Sequence, residues 1–533
     1  MVLFSSEQHI NRRTFLALSG LGLSSLLTAC NNTSARTIKA TPTPTPTAHP
    51  TQQAAPTEAD WSALSNSLHG NLIRPNNTRY ATAHQLFNTR FDAIMPAGIA
   101  YCASATDVQT CLAFVRRFHL PVTVRSGGHS YAGYSTTTGL LIDVTPMNQV
   151  TIDTANGTAT IGGGAHLIDV YSALAQHGVV IPAGSCPTVG IAGLTLGGGV
   201  GVLGRKFGLT CDNLLSAQVV LANGDVLTCD QNTHSDLFWG LRGGGGGNFG
   251  VVTSFTFGVH PVSQLSLFTL NWPWSHAADV VDAWQHWGPQ NPDELWSNCL
   301  LLGTANKQSE PSVRVNGVYV GTSSALQPLL QQLTSRVGIA PTSSYVYTDP
   351  LLETMMVEAG CYGESEAACH LPSQNPQGRV ARDTSKAKSD YITNLLPRPA
   401  IDSLVNAISS RQSSGTLSNG GIGMDAYGGA LNRVAADATA FVHRDALFSI
   451  QYTASWNASD PSSVVTANAS WLQQTWQAMR PYASGSAYQN YIDPDLANWQ
   501  QAYYGANLSR LQQIKTAYDP ANLFHFAQSI PLA

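Results

Sequence analysis

Arg125-Ser-Gly-Gly-His-Ser-Tyr-Ala-Gly-Tyr-Ser135 is the stretch from which the fold of this 533-residue chain can be worked out. It follows the β-branched run Val122-Thr-Val124, which predicts a buried strand. Three glycines and three serines among these eleven residues predict a tight turn. The amide groups of such a turn can point inward together and bind phosphate, with Arg125 adding positive charge and His129 displaying its ring. Taken alone, the stretch also fits a plain surface loop.

A second glycine-rich stretch stands further along the chain, again after an apolar run. Gly184-Ser-Cys-Pro-Thr-Val-Gly-Ile-Ala-Gly193 follows Val179-Val-Ile181 and leads into Gly197-Gly-Gly-Val-Gly201. His129 and Cys186 are therefore both predicted on loops that follow strands, and such loops often carry function. Two further blocks are Trp239-Gly-Leu-Arg-Gly-Gly-Gly-Gly-Gly-Asn-Phe-Gly-Val-Val252 and the C-terminal residues 507–524.

Together, the four blocks resemble the berberine-bridge-enzyme-like FAD-linked oxidases, nearest their oligosaccharide-oxidising branch, over residues 79–530. The resemblance implies an α+β fold, with a two-part FAD-binding domain of the p-cresol-methylhydroxylase type and an α+β substrate domain containing an antiparallel sheet. It implies FAD bound covalently twice, by His129 at the flavin 8α-methyl and by Cys186 at flavin C6. The residues implied to bind the cofactor are Arg125, Ser126, Gly127, Gly128, His129, Ser130, Gly184, Ser185, Cys186, Val189, Gly190, Gly193, Gly198, Gly201, Gly250, Val252, Asn490 and Asn522.

The same resemblance indicates the catalytic base. Tyr488-Gln-Asn-Tyr-Ile-Asp493 matches a family block in which the second tyrosine, here Tyr491, is the base, with Asp425 as its hydrogen-bond partner. A partner is needed because a free tyrosine has a pKa of about 10. A carboxylate alone would raise that pKa, so a positive group or the flavin itself must contribute. The alternatives are a purely structural Tyr491 and a catalytic Tyr427, which we expect on the same strand face as Asp425.

Val189 is predicted to control access of oxygen. It stands three residues after Cys186, in the turn that the resemblance places over the C4a–N5 edge of the flavin. In the family, a small side chain here accompanies fast reaction with oxygen, and leucine accompanies dehydrogenases. Simple packing of Val189 against Leu194 or Val200 is the alternative.

Composition and the first residues indicate an exported globular protein. The chain is 43% hydrophobic and 11% charged, and its net charge of −5 argues against a nucleic-acid partner. Asn11-Arg-Arg-Thr-Phe-Leu16 looks like a twin-arginine signal and Leu27-Thr-Ala-Cys30 like a lipobox. We therefore expect residues 1–30 to be a signal peptide and Cys30 to anchor the protein to the outer face of the cytoplasmic membrane. An ordinary signal peptide with a chance cysteine is the alternative.

The remaining chain divides by pattern. Residues 31–60 are rich in Thr and Pro and are predicted to be a disordered linker. We predict a FAD-binding domain over 61–263, a substrate-binding domain over 264–485 with helices on one side of its sheet, and a segment, 486–533, that returns to the FAD domain. Residues 350–397 show no clear periodicity and stay unassigned.

Cysteine and histidine patterns give two further expectations. Cys361 and Cys369 bracket a short loop, where either a disulfide or two buried thiols would fit an exported protein. The histidines form no H-E-x-x-H or H-x-H motif, so no metal site is predicted.

These observations predict a monomeric FAD-dependent oxidase acting on a small molecule or oligosaccharide, with O2 as its second substrate. The predicted reaction takes a hydride from an alcohol carbon, foremost the anomeric carbon of a sugar, and yields hydrogen peroxide. A secondary-metabolite tailoring oxidase and a non-catalytic lipoprotein binding module are the alternatives.

Overall fold

The computed structural model describes residues 55–262, 264–304, 306, 308–414 and 420–533. The predicted signal peptide, Cys30 and most of the predicted linker lie outside these residues. The first described element is helix α1 (Glu58–Ser67), which begins inside the stretch assigned to the linker because Thr57 and Asp60 form a reciprocal capping box. In the described part of the chain, no helix combines the length and the apolar character that crossing a membrane requires.

The N-terminal half is built from short strands. They are β1 (Asn71–Ile73), β2 (Gly98–Tyr101), β3 (Val122–Arg125), β4 (Leu140–Asp143), β5 (Val150–Asp153), β6 (Thr158–Gly162), β7 (Val179–Val180), β8 (Leu214–Val220), β9 (Val226–Asp230), β10 (Val251–Gly258) and β11 (His260–Pro261). One sheet has the order β1-β2-β4-β3 and a second the order β5-β6-β10-β8-β9, while β7 pairs with β11. β4 pairs in parallel with β2 and β3, so the turns that follow these strands lie at one edge of the sheet.

Six helices accompany these sheets in the described chain: α2 (Tyr80–Ala83), α3 (Ala105–Phe118), α4 (Leu167–Ala175), α5 (Ile191–Leu196), α6 (Gly204–Phe207) and α7 (Ser235–Leu241). Helix α3 precedes the strand that leads into the His129 turn. Its N-cap is Ser104, whose hydroxyl accepts from the Asp107 amide, and its apolar face is buried against the first sheet.

The second half contains a seven-stranded antiparallel sheet. Its strands are β12 (Gln264–Trp272), β13 (Leu295–Gly303), β14 (Ser312–Tyr319), β15 (Ser343–Pro350), β16 (Ser385–Ile392), β17 (Gly420–Ala426) and β18 (Phe448–Ser455), in the order β15-β12-β14-β13-β17-β18-β16. The helices of this half are α8 (Ala277–Trp287), α9 (Ser323–Val337), α10 (Leu351–Glu358), α11 (Arg398–Ser414), α12 (Ala430–Arg433) and α13 (Ser462–Met479).

One face of this sheet is apolar. The other faces the half of the chain that is predicted to bind FAD, residues 61–263 (the FAD-binding half). α8, α9, α11 and α13 share a single core with alternate residues of the strands, for example Ile422 and Met424 of β17 and Ile450 of β18. The predicted sheet with helices on one side is therefore confirmed. The opposite face carries Leu267 and Trp296, which belong to the core of the FAD-binding half.

The stretch that showed no periodicity, 350–397, joins the two halves. It contains α10, a loop closed by the disulfide Cys361–Cys369 with Cα atoms 5.8 Å apart, and the edge strand β16. The disulfide is thus one of the two arrangements expected for these cysteines. β16 pairs with β18, more than fifty residues further along, and local periodicity carries no trace of that pairing.

The C-terminal segment packs against the FAD-binding half through α14 (Trp499–Tyr504) and α15 (Leu508–Tyr518). Lys515 Nζ donates to the Asn248 carbonyl at 2.7 Å, and the Ile530 amide donates to Asn248 Oδ1 at 2.9 Å. These bonds hold the chain end beside the glycine run that precedes β10.

Candidate active site

The two glycine-rich turns lie in direct contact. A methyl group added to Gly127 would overlap the Gly190 amide, and one added to Gly190 would overlap Ser126. Only glycine at these positions allows so close an approach, which brings the segments carrying His129 and Cys186 to one cavity.

This cavity is lined by most of the residues implied to bind the cofactor. They are Ser126, Gly127, Gly128, His129, Ser130, Gly184, Cys186, Val189, Gly190, Gly193, Gly250, Val252 and Asn490, and Tyr491 lines it as well. The lining also includes Tyr131, Tyr134, Leu167, Phe524 and Phe526. None of these was predicted as a site residue, although Tyr131 and Tyr134 stand in the first turn and Phe524 ends the C-terminal block.

The remaining predicted residues do not line this cavity. Gly201 is packed so closely on the Ala183 carbonyl that no side chain would fit, and Gly198 adopts a φ of +120° beside the Phe441 ring. Asn522 has a φ of +50° in the turn after α15. Ser185 is buried in the second turn. The structure thus assigns Gly198 and Gly201 to close packing and Asn522 to a turn.

Arg125 also lies elsewhere. Its guanidinium forms a buried ion pair with Asp143 and donates to the Ala83 carbonyl at 2.7 Å. It lines a second, polar cavity on the opposite side of the 125–128 turn. Because Asp143 neutralises its charge and Arg125 lines the other cavity, we assign Arg125 a structural role in holding the turn.

His129 is held firmly at the first cavity. Its Nε2 lies 2.7 Å from Thr188 Oγ1, and its ring stacks on Phe87 with centroids 4.2 Å apart. Burial, with the nearby His166, lowers the pKa of His129 to about 3, so the imidazole is neutral at physiological pH. A neutral ring can use a nitrogen lone pair to form a covalent bond.

A cluster of aromatic phenols closes one end of the cavity. Tyr491 stacks on Tyr131 at 5.4 Å between ring centroids and meets Tyr488 edge-on at 4.9 Å. Tyr488 Oη accepts from the Gly199 amide at 3.0 Å and from Asn490 Nδ2 at 2.9 Å, which fixes the segment that presents Tyr491. The sequence block therefore folds so that Asn490 and Tyr488 position Tyr491.

Tyr491 is a neutral phenol in this environment. Burial, followed by the charges of Tyr131 and Asp425, raises its pKa well above the usual value near 10. Asp425 is 3% exposed, and burial raises its pKa to about 7. The hydrogen bonds of the described residues include none between Tyr491 and Asp425, so their link in this structure is electrostatic. The alternative base, Tyr427, pairs its hydroxyl with Tyr391 at 3.1 Å.

The first cavity has room for a large planar group. At Gly193, no atom lies within 4 Å of the place where a Cβ would stand, and a Cβ on Gly246 would be 3.9 Å from Gly193 Cα. The lining combines glycine backbone, aromatic rings, a neutral histidine and a cysteine, and this combination suits an isoalloxazine ring.

Comparison with known proteins agrees with this geometry. Residues 96–230 match the family model for an FAD binding domain, and residues 487–531 match the model described as berberine and berberine like. An uncharacterized FAD-linked oxidoreductase of Bacillus subtilis is 33% identical over 469 residues, covering 87% of this chain and 97% of the relative.

Solved structures give the same result. BBE-like 1 of Physcomitrella patens superposes with a TM-score of 0.80 at 33% identity, covering 89% of this chain and 99% of that one. A chitooligosaccharide oxidase superposes with a TM-score of 0.78 at 28% identity, covering the same shares. The p-cresol-methylhydroxylase-type α+β architecture implied by the motifs is thereby confirmed.

Proposed function

Because this chain belongs to the berberine bridge enzyme-like family of FAD-linked oxidoreductases, we propose that it is an oxidase of sugar hydroxyl groups. The proposed reaction takes a hydride from the anomeric carbon of a mono- or oligosaccharide and reduces O2 to H2O2. FAD, when bound, accepts the hydride and passes the electrons on. The observation that carries this proposal is the polar face of the seven-stranded sheet.

That face forms a continuous row of hydrogen-bonding side chains. Asn316 of β14 lies opposite Asn298 of β13, which lies opposite Asp425 of β17. Directly opposed residues point to the same side of a sheet. The charge of Asp425, in this row, contributes to the raised pKa of Tyr491, so the two groups interact electrostatically. The neighbouring row runs from Arg314 to Gln451, whose Nε2 donates to Tyr131 Oη at 3.0 Å.

Several buried side-chain atoms on this face of the sheet have no hydrogen-bond partner among the described residues. They are Arg314 Nε, Asn316 Oδ1, Asp425 Oδ1, Gln451 Oε1, Thr453 Oγ1 and Ser455 Oγ. Burying a polar atom without a hydrogen bond is costly, so such a set favours a ligand rich in donors and acceptors. A polyhydroxylated sugar meets that requirement better than an apolar metabolite.

Tyr491 and Asp425 would move the proton. As the hydride leaves carbon, the substrate hydroxyl would lose its proton to the Tyr491 oxygen. The proton of Tyr491 would pass to the Asp425 carboxylate once the two groups, linked only electrostatically in this structure, come within hydrogen-bond distance. The raised pKa of Asp425 makes its ionised form a better proton acceptor than an exposed aspartate. His129 and Cys186, as the proposed double covalent attachment, would hold the flavin in the cavity that Tyr491 also lines.

Anaerobic addition of glucose, cellobiose or longer oligosaccharides to the purified flavoprotein tests this proposal directly. Loss of flavin absorbance with a sugar supports it. Bleaching only by aromatic or polycyclic alcohols would point to the tailoring oxidase, and no bleaching by any alcohol would point to the binding module.

The rate of flavin reduction should depend on pH through Asp425. Its pKa near 7 means that the carboxylate is protonated below pH 7 and cannot accept a proton there. The rate constant should therefore rise about tenfold per pH unit below 7 and level off above it. The Asp425→Asn variant should be slow and flat over this range in anaerobic stopped-flow measurements.

Glu358 provides the matched control. Burial also raises its pKa to about 7, and it interacts with Asp425 electrostatically. The Glu358→Gln variant should keep the rising profile. A profile that flattens in Glu358→Gln but persists in Asp425→Asn would contradict the role of Asp425.

Reoxidation of the flavin should be controlled at Val189. This half-buried side chain lines the cavity, and its carbonyl accepts from the Leu167 amide at 3.0 Å, which fixes the backbone. The Val189→Leu variant adds one methylene to a packed wall, so oxygen should react at least ~10-fold more slowly while anaerobic reduction stays nearly unchanged. Mixing reduced enzyme with aerated buffer measures the rate of reoxidation.

Val200→Leu is the control, because Val200 lines the same cavity. Equal reoxidation rates for Val189→Leu and wild type would refute the control of oxygen access by Val189.

Export and anchoring form a separate part of the proposal, supported by residues 11–16 and 27–30. The protein would be a lipoprotein on the outer face of the cytoplasmic membrane. Wild-type protein should fractionate with membranes, and Cys30→Ala should release it; membrane association that survives this change would exclude the lipid anchor.

A further inference from the structure

Three side chains of types that can bind metal ions meet at the second cavity, on the opposite side of the 125–128 turn from the first cavity. His166 caps the start of α4, Asp169 stands in its first turn, and His370 directly follows Cys369. His370 Nε2 lies 3.0 and 3.2 Å from the two Asp169 carboxylate oxygens, and His166 Nδ1 lies 3.7 Å from Asp169 Oδ2. One ligating atom from each of the three residues falls within a span of 4.8 Å.

We propose that His166, Asp169 and His370 bind a divalent transition-metal ion, with Zn²⁺ as the best match. Zinc holds nitrogen and oxygen ligands at about 2.0–2.2 Å in a tetrahedron, which places neighbouring ligand atoms roughly 3.3 Å apart. The separations of Asp169 from His370 and from His166, 3.0 and 3.7 Å, lie around that value, and the whole set spans no more than 4.8 Å, so binding requires the ligand atoms to draw together by about 1 Å. A set of two imidazoles and one carboxylate favours zinc over calcium or magnesium, which prefer oxygen ligands.

The surroundings of the two histidines support this assignment. His370 Nδ1 lies 3.0 Å from the Glu366 carbonyl and can donate to it, while Nε2 faces Asp169 as a donor; a bound metal ion would replace the Nε2 proton. Such a backbone bond orients many metal-binding histidines. His166 is 7% exposed, yet its Nε2 has no hydrogen-bond partner among the described residues. One nitrogen of this buried imidazole thus has no hydrogen bond within the described part of the chain.

The fourth zinc position can be filled by water. The three residues line the second cavity, whose volume is about 370 Å³ and whose wall also includes Arg125 and Gln374. A polar cavity of this size admits water molecules. The site is therefore accessible from solution while its ligands are held by the fold.

Metal binding here would join two distant parts of the chain. α4 belongs to the FAD-binding half, whereas His370 follows the disulfide-closed loop of the stretch that joins the two halves. Ser172 Oγ donates to Glu366 at 2.5 Å and Gln374 Nε2 to the Thr188 carbonyl at 3.3 Å, so this contact already exists without metal. Zinc would lock it beside the turn that carries Cys186.

The purified flavoprotein, stripped with a chelator and then incubated with ZnSO4, tests the inference without any activity measurement. After gel filtration, mass spectrometry of metals should find about one zinc per wild-type chain. Competition with a zinc-binding dye should show at least ~100-fold weaker binding for His370→Ala, since even changes outside the direct ligands cost 10–100-fold. Zinc should raise the thermal midpoint of the wild type and leave that of the variant unchanged.

Two further variants make the result specific. Asp169→Asn keeps the side-chain volume and should also lose zinc, which guards against misfolding of His370→Ala. His276→Ala removes a histidine from the exposed His276–Asp279 pair, which has the same spacing as His166–Asp169, and should bind zinc like the wild type. If the wild type bound no zinc, or if Asp169→Asn bound as much zinc as the wild type, the proposal would be wrong. The three residues would then form only a structural His370–Asp169 hydrogen bond.

Discussion

Replacing Tyr491 by phenylalanine should slow reduction of the flavin by substrate at least ~100-fold, the usual scale for loss of general-base catalysis. The change removes one oxygen and keeps the ring that stacks on Tyr131 and meets Tyr488. Folding and flavin content should therefore survive. Anaerobic stopped-flow mixing with a sugar that the enzyme oxidises measures the rate constant, and the flavin absorbance of the resting protein measures loading.

Tyr427→Phe is the matched control for this prediction. Tyr427 is a buried tyrosine of the same cluster, but its hydroxyl is engaged with Tyr391. Its loss should leave the reduction rate within a few-fold of wild type. If Tyr427→Phe were slow and Tyr491→Phe fast, Tyr427 would be the base; if both were fast, neither phenol would transfer the proton.

The second large effect concerns retention of the flavin after denaturation. His129→Ala and Cys186→Ala should each keep the flavin covalently bound, and the double variant should release all of it into the supernatant after acid precipitation. The reason is that each residue forms an independent bond to a different flavin carbon in the proposed arrangement. Absorbance of pellet and supernatant measures the distribution.

Cys229→Ala is the matched control for Cys186→Ala, because it removes a thiol that lies away from the flavin cavity. Cys229 lies in the core of the FAD-binding half, and burial raises its pKa to about 12, so it is an inert thiol. This variant should keep its flavin in the pellet. Free FAD from the wild type would exclude covalent attachment, and complete release by either single variant would leave only one bond.

The local features of the site were predictable because each is encoded in a few adjacent residues. A β-branched run followed by glycines predicts a strand and a turn, and the structure has β3 followed by the turn with His129. Four ordered motifs were enough to identify the family and the α+β fold. Tyr491 and Asn490, two of the predicted site residues, line the cavity because the neighbouring Tyr488 fixes their segment with its own hydrogen bonds.

Elements without a local signal could not be assigned. β13 is buried at every position and so shows no alternation of polar and apolar residues. β16 finds its partner only far along the chain, and the loop closed by Cys361 and Cys369 packs onto α4 through Ser172. These arrangements depend on tertiary pairing, which short sequence windows do not record.

What the sequence by itself determined is therefore the family, the two turns and the candidate base. Only the tertiary structure decided which side chains meet: the row from Asn316 to Asp425 across three strands, and the group of His166, Asp169 and His370. Two histidines about two hundred residues apart form no motif, so the search for contiguous metal patterns passed over them. Strand register and helix packing set these distances, because both are fixed by burial of the whole chain rather than by neighbouring residues.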